Sequence, residues 1–264
     1  MTQTTIRADL SQPPGNEFNK YALPGSGIVP NGSSWSFVLD SGIEKRYVDA
    51  QIDDYQGKPR GKFPWQAPVT MTVRARFSHS AGSLLGTAGF GFWNDPFAMT
   101  GARIPAPPRA IWFFYASPES NMKLALDTPG NGWKTATIDV LRIPFFLLAP
   151  TAPLAIPLMN IKPIYRALWP VGQRAIGVSE AGISAEMTDW HTYRLEWGTR
   201  GSKFWVDDAL ILDAPTTPKG RLGFVMWMDN QAMTVTPWGR FGWKMLDVKQ
   251  PQWMEIERLE ISAT

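Results

Sequence analysis

The chain contains no cysteine, which excludes disulfides and thiolate-bound metal and leaves an intracellular home open. It has two histidines, His79 and His191, too few for a three-histidine zinc centre. Charge is sparse and balanced: 26 Lys and Arg against 23 Asp and Glu leave +3 over 264 residues, with no basic block. Without a cationic track to grip phosphates, no nucleic-acid partner is expected. The opening residues MTQTTIRADLSQPPG lack the basic and apolar regions of a secretory leader, so the expectation is a cytoplasmic protein. No phosphate-binding loop, nucleophile elbow or dinucleotide glycine fingerprint is present, and no cofactor is expected.

Aromatics are abundant instead, with 13 Trp and 14 Phe. They fall in short period-two stretches separated by Gly, Pro and Asn: RYVDAQID, VTMTVRARFS, GTAGFGFW, RAIWFFYA, KTATIDVL, WHTYRLEW, SKFWVDDALIL, RLGFVMWM and WMEIERLEIS. Such spacing predicts an all-β protein, two packed antiparallel sheets in one jelly-roll sandwich domain spanning residues 1–264. Residues 1–34, rich in Pro and Gly, read as an irregular arm, with regular structure starting at WSFVLD. The glycines of GTAGFGFW, inside a strand, point to close backbone approach or a bulge.

Residues 142–170 break the pattern. From Ile143 to Ile161 nothing is charged, but Pro144, Pro150, Pro153 and Pro157 argue against a membrane helix. The segment reads as an apolar, lid-like insertion ending in a helical turn near Tyr165 to Trp169. Its possible roles are a cap over a cleft, a homodimer contact, or contact with a membrane surface.

The stretch RAIWFFYA raises a separate question. As a strand it carries Ala110, Trp112 and Phe114 on one face and Ile111, Phe113 and Tyr115 on the other. A sandwich strand normally turns one face to water. Something must cover the second face.

The segments WHTYRLEWGTRGSKFWVDDALIL, PKGRLGFVMWMDN and QWMEIERLEI together resemble the C-terminal half of the concanavalin A-like lectin/glucanase superfamily, in particular its laminarinase and lichenase-type retaining glycoside hydrolases. The matching residues are Trp190, His191, Tyr193, Glu196, Trp197, Trp205, Val206 and Asp207; Asp208 stands where the family has Gly. The resemblance covers roughly residues 69–262 outside the insertion. It implies a concanavalin A-like β-sandwich.

In that family a strand bearing Glu-x-Asp-x-Glu supplies the nucleophile and the acid for glycoside cleavage. Phe92 and Trp93 match the aromatic pair that precedes it, which puts Ala110, Trp112 and Phe114 at the three acidic positions. None can carry a proton or form a glycosyl ester. The resemblance further implies a cleft floor with Arg74 and Arg76 from VRARF, and with Val225 and Trp227 from GRLGFVMWM. With Trp93, Ala110, Trp112 and Phe114, these make a floor of rings and two cations.

Such a floor offers few acceptors for sugar hydroxyls. It suits a mostly apolar or aromatic small molecule whose single anionic or carbonyl group meets an arginine. Catalytic candidates are Arg76, Asp229 and His191. Asp229 reads as an exposed turn acid at the cleft rim, with a general base as the alternative. His191 reads as a hydrogen-bonded structural residue. The pairs Asp49 with Asp53 and Glu255 with Glu257 each share a strand face and read as solvated or salt-bridged, away from the cleft floor. By position Glu257 replaces an acid that often helps hold calcium in the family; no other metal site is expected.

The sequence therefore points to a non-hydrolytic glucanase-like protein that binds an apolar small molecule, with isomerisation or cyclisation by positioning left open. A carbohydrate-binding lectin-like protein and a glycoside hydrolase with relocated acids are the alternatives.

Overall fold

The computed structural model describes residues 5–98 and 104–263. The first four residues of the expected arm lie outside that range. In chain order the strands are β1 (Thr5–Arg7), β2 (Asn19–Ala22), β3 (Ser26–Asn31), β4 (Ser34–Leu39), β5 (Asp49–Asp53), β6 (Val69–Phe77), β7 (Thr87–Trp93), β8 (Arg109–Ala116) and β9 (Gly132–Asp139). Helices α1 (Ile143–Leu148), α2 (Ala152–Leu158) and α3 (Lys162–Ala175) follow. Next come β10 (Ser179–Gly182), β11 (His191–Trp197), β12 (Ser202–Val206), β13 (Ala209–Ala214) and β14 (Gly223–Asp229). The chain ends with β15 (Gln231–Val235), β16 (Phe241–Met245) and β17 (Gln252–Ala263).

One sheet has the order β13-β12-β11-β6-β17-β4-β3, with β1 added beside β17. The other, which carries the cleft, has the order β10-β9-β8-β7-β14-β5-β2, and β15 and β16 form a separate hairpin. Alternation sorts the side chains. Phe90 of β7, Phe113 of β8 and Trp133 of β9 point between the sheets, where Tyr193 of β11 meets all three at ring distances of 5.2–5.5 Å. Each such ring, fully removed from water, stabilises the sandwich by roughly 1.5–3 kcal/mol.

Two expectations need correction. Regular structure begins before WSFVLD, with β1, β2 and β3. β2 and β3 are the terminal strands of their sheets, and an edge strand tolerates Pro30 and Gly27 because one side of its backbone needs no ladder partner. The insertion is also far more helical than a single turn. Three of its prolines start helices instead of preventing them: Pro144, Pro153 and Pro163 fall in the first turns of α1, α2 and α3, where the missing N–H has no intrahelical partner to lose, while Pro157 and Pro170 lie inside α2 and α3.

Candidate functional site

The two faces of β8 have different covers. Ile111, Phe113 and Tyr115 enter the main core. Ala110, Trp112 and Phe114 face the concave side and join a second apolar cluster with Trp93, Val225 and Trp227. There Trp112 lies nearly parallel to Phe114, at 5.4 Å and 22°, and its ring centre is 5.5 Å from Trp227 and 5.9 Å from Trp93. The floor beneath these rings is glycine. A Cβ on Gly91 would meet Trp112 Cβ at 2.5 Å, and one on Gly89 would meet the Trp227 ring at 3.1 Å. Both glycines are the cross-strand partners of these tryptophans, so close approach is what GTAGFGFW encodes.

The rings largely fill the cleft they line, leaving about 70 Å³ open. Phe97, Met122 and Met233 also line it, and none of its lining residues comes from 142–170. Met122 is held by an ion pair that the sequence did not reveal. Lys134 Nζ lies 2.9 Å from Glu180 Oε1, both side chains 2% exposed. The same Nζ donates to the Met122 carbonyl, and Glu180 Oε2 accepts from the Ala125 amide. A buried ion pair tied by further hydrogen bonds pins the 122–125 strap over the rings.

The arginines expected in this floor are elsewhere. Arg74 and Arg76 lie on β6, in the opposite sheet. Arg76 pairs with Glu255 at 2.7 Å and sits over the rings of Trp190 and Trp253; Arg74 pairs with Glu257. The alternation of VRARF was right, but Val73, Ala75 and Phe77 take the core side, which turns both arginines outward. Glu257 is thus an ion-pair partner, and no cluster of three or more His, Cys, Asp or Glu suited to a metal occurs among the described residues. His191 is also on that sheet. Its Nδ1 meets Asp207 Oδ2 at 2.7 Å, and Asp207 takes a left-handed φ of 52° in the turn between β12 and β13. The histidine ties down that turn, in which Asp207 supplies the conformation a Gly would adopt easily.

The acids are where rings were expected to stand alone. Asp229 is 5% exposed, not an exposed turn acid, and lines the cleft with Gln51, Thr87 and Tyr47. β5 neighbours β14, so Asp49 is its cross-strand partner, 2% exposed and not solvated as expected. Asp53 is buried too, its carboxylate accepting from Asn19, Gln51 and the amides of Tyr55 and Gln56.

Burial pushes the Asp229 carboxyl up to about 6, against the pull of donors from Gln231 and Thr87. Burial, then the charge of Asp229, drives Asp49 well above the usual carboxylate range. The Tyr47 hydroxyl lies against both, and Asp49 Oδ1 has no hydrogen-bond partner. Asp229 Oδ1, by contrast, takes the Thr87 amide, the Thr87 hydroxyl and the Gln231 amide, an arrangement that braces a strand end.

A larger hollow lies one strand further along the concave sheet. Ile138 of β9 is the cross-strand partner of Ala110, and with Val140 and Leu124 it floors a groove of about 460 Å³. Phe145 and Leu148 of α1, Ala152 and Ala155 of α2, Met159, and Trp169 of α3 wall it. Val235 and Pro237 also line it. No titratable side chain is among its described lining residues.

These two hollows sit on a known scaffold. No protein-family model matches the sequence, and no curated protein matches it either. Solved structures do match in shape. β-Glucanase of Bacillus licheniformis aligns over 100% of both chains with a TM-score of 0.53 and 9% identity. The fold is the concanavalin A-like sandwich of the glucanases. A pseudo β-1,3-glucanase and immunostimulatory antigen of Mycobacterium tuberculosis aligns over 98% of each chain, with a TM-score of 0.53 and 12% identity. An endo-β-galactosidase of Clostridium perfringens that releases GlcNAcα1-4Gal matches 97% of this chain at a TM-score of 0.52 and 13% identity, and this chain spans 62% of that one. At such identities the likeness is one of fold alone. On this glucanase fold, the concave positions of β8 are occupied by Ala110, Trp112 and Phe114.

Proposed function

We propose that this glucanase-like sandwich is a non-hydrolytic binding protein for a mostly apolar small molecule, held in the groove between β9 and helices α1 to α3. The observation that carries the reading is the groove itself. Its volume of about 460 Å³ falls in the range of small-molecule sites, roughly 300–1,000 Å³, whereas the ring cleft keeps about 70 Å³. Thr151 and Thr236 are its polar side chains. A sugar buried there would leave hydroxyls unpaired, at about 1–3 kcal/mol each, while a hydrocarbon or fused-ring ligand loses nothing. Without an acid or base among the described lining residues, retention is favoured over turnover.

The experiment is a Nile red titration with competition by apolar ligands. Ala155→Trp, which fills the groove, should weaken dye binding at least tenfold, and Trp112→Ala should leave it within twofold. Loss in Trp112→Ala with Ala155→Trp unaffected would move the ligand to the ring cleft and overturn the groove reading. Tryptophan quenching by oligosaccharides with no response to Nile red would favour a lectin.

A second reading draws on the cleft acids. Asp229 lines the cleft and Asp49 is its cross-strand partner, and both have raised affinity for protons, as a relocated acid pair would. β-Glucan hydrolysis abolished by Asp229→Asn would establish that reading in place of the first.

A further inference from the structure

The helices that wall the groove are apolar on their other side too. On α1, Phe145 and Leu148 face the groove, while Ile143, Phe146 and Leu147, spaced i, i+3, i+4, are 77%, 56% and 73% exposed. On α2, Ala152 and Ala155 face inward and Leu154 is 71% exposed. A surface helix ordinarily turns polar side chains to water. Here the outward face is hydrocarbon. The β15–β16 hairpin packs on the same helical insertion through its loop: Asn160 Nδ2, just after α2, donates to the Trp238 carbonyl, and the buried Tyr165 of α3 meets the Trp238 ring at 5.2 Å. On the hairpin itself Phe241 and Trp243 are each 60% exposed.

The charge around the patch has one sign. Between residues 140 and 179 the chain carries Arg142, Lys162, Arg166 and Arg174 and no Asp or Glu. Residues 231–245 carry Arg240 and Lys244 and no acid. Asp127 stands beside Lys162 and Arg166 and Asp139 interacts with Arg142, which offsets two of these six charges and leaves the surface cationic.

We propose that α1, α2 and the β15–β16 hairpin dock this protein on an anionic lipid surface, with the exposed Leu, Ile, Phe and Trp side chains entering the boundary of the acyl chains and the cations meeting headgroups. Hydrocarbon protruding through a cationic rim is the pattern that binds bilayer interfaces. A second copy of the chain would fit poorly, because an isologous contact sets this cationic surface against itself. The protein would lie on the surface and not cross it, since no described helix is long and apolar enough to span a membrane. Docking does not depend on the groove holding a ligand.

The test is co-sedimentation of the full chain with vesicles of phosphatidylcholine alone and of phosphatidylcholine with a quarter phosphatidylglycerol. The anionic vesicles should bind it, with affinity falling as salt is added. Phe146→Asp with Leu147→Asp should reduce binding at least tenfold with Nile red titration and thermal unfolding unchanged. Lys162→Glu with Lys244→Glu should remove most of the preference for anionic lipid. No binding of the unaltered protein to anionic vesicles, or equal binding by the Phe146/Leu147 variant, overturns the proposal. So does a dimer in sedimentation velocity that this same variant dissolves, because the patch would then serve a second copy.

Discussion

The ring cleft and the helix-walled groove occupy neighbouring strands of one concave sheet, yet they are built on contrary plans. In the cleft, glycines on β7 let Trp112 and Trp227 sink onto the backbone until the rings close on one another, and a buried ion pair straps a loop above them. In the groove, Ile138 and Val140 keep a low floor while α1 and α2 hold a roof away from it. Large side chains on a sheet erase a hollow; small and aliphatic ones under an inserted roof preserve it. Aromatic abundance alone is therefore a poor guide to where a ligand goes.

That contrast can be broken by experiment. The largest effect belongs to the strap. Lys134→Met, which leaves Glu180 buried and unpaired, should cost about 3–5 kcal/mol in chemical denaturation, and adding Glu180→Gln should recover much of the loss. If Lys134→Met is neutral, the cleft is not held shut as described. Next comes Trp112→Ala, which removes the centre of the ring cluster. It should cost about 3 kcal/mol, the low end for buried tryptophan because this ring is partly exposed, and it should enlarge the cleft in a crystal structure without altering the groove.

The cleft acids give a smaller, pH-dependent effect. Asp229, raised to about 6, and Asp49, raised further by burial and by Asp229, bind protons more tightly folded than unfolded. Stability is therefore greatest below the unfolded carboxylate range near pH 4 and declines as pH rises through about 6. Asp54, pushed up to about 7 by burial, extends the decline toward neutrality. Thermal unfolding should fall by roughly 5–10 °C between pH 5 and 8, at about 2–4 °C per kcal/mol for a chain of this size. Asp49→Asn should flatten that slope and raise the melting temperature at pH 8 alone. A flat profile in the unaltered protein would show that these carboxyls are solvated. Smallest of all, Leu147→Ser on the outward face of α1 should change stability by less than about 0.5 kcal/mol.

Much of this was legible in the chain. Period-two stretches mark the strands, and in RAIWFFYA they mark two apolar faces, both of which prove to be covered. The absence of acids at Ala110, Trp112 and Phe114 is equally plain. The site was less legible. VRARF shows that Arg74 and Arg76 share a face, but nothing in five residues says which sheet that face belongs to. Asp49 and Asp229 are 180 residues apart, and only the placement of β5 beside β14 makes them neighbours. A signal existed for Lys134: it is the lone cation on the apolar alternation of KTATIDVL, where a buried partner was worth seeking.

Local pattern settles which side chains share a strand face and where prolines can start a helix, because pleat and backbone sterics act over a few residues. Strand order, the outward turn of the arginines, the pairing of distant carboxyls and the size of each hollow depend on contacts between segments far apart in the chain. Those follow from how two twisted sheets and an inserted helical roof pack together, which no short stretch encodes alone.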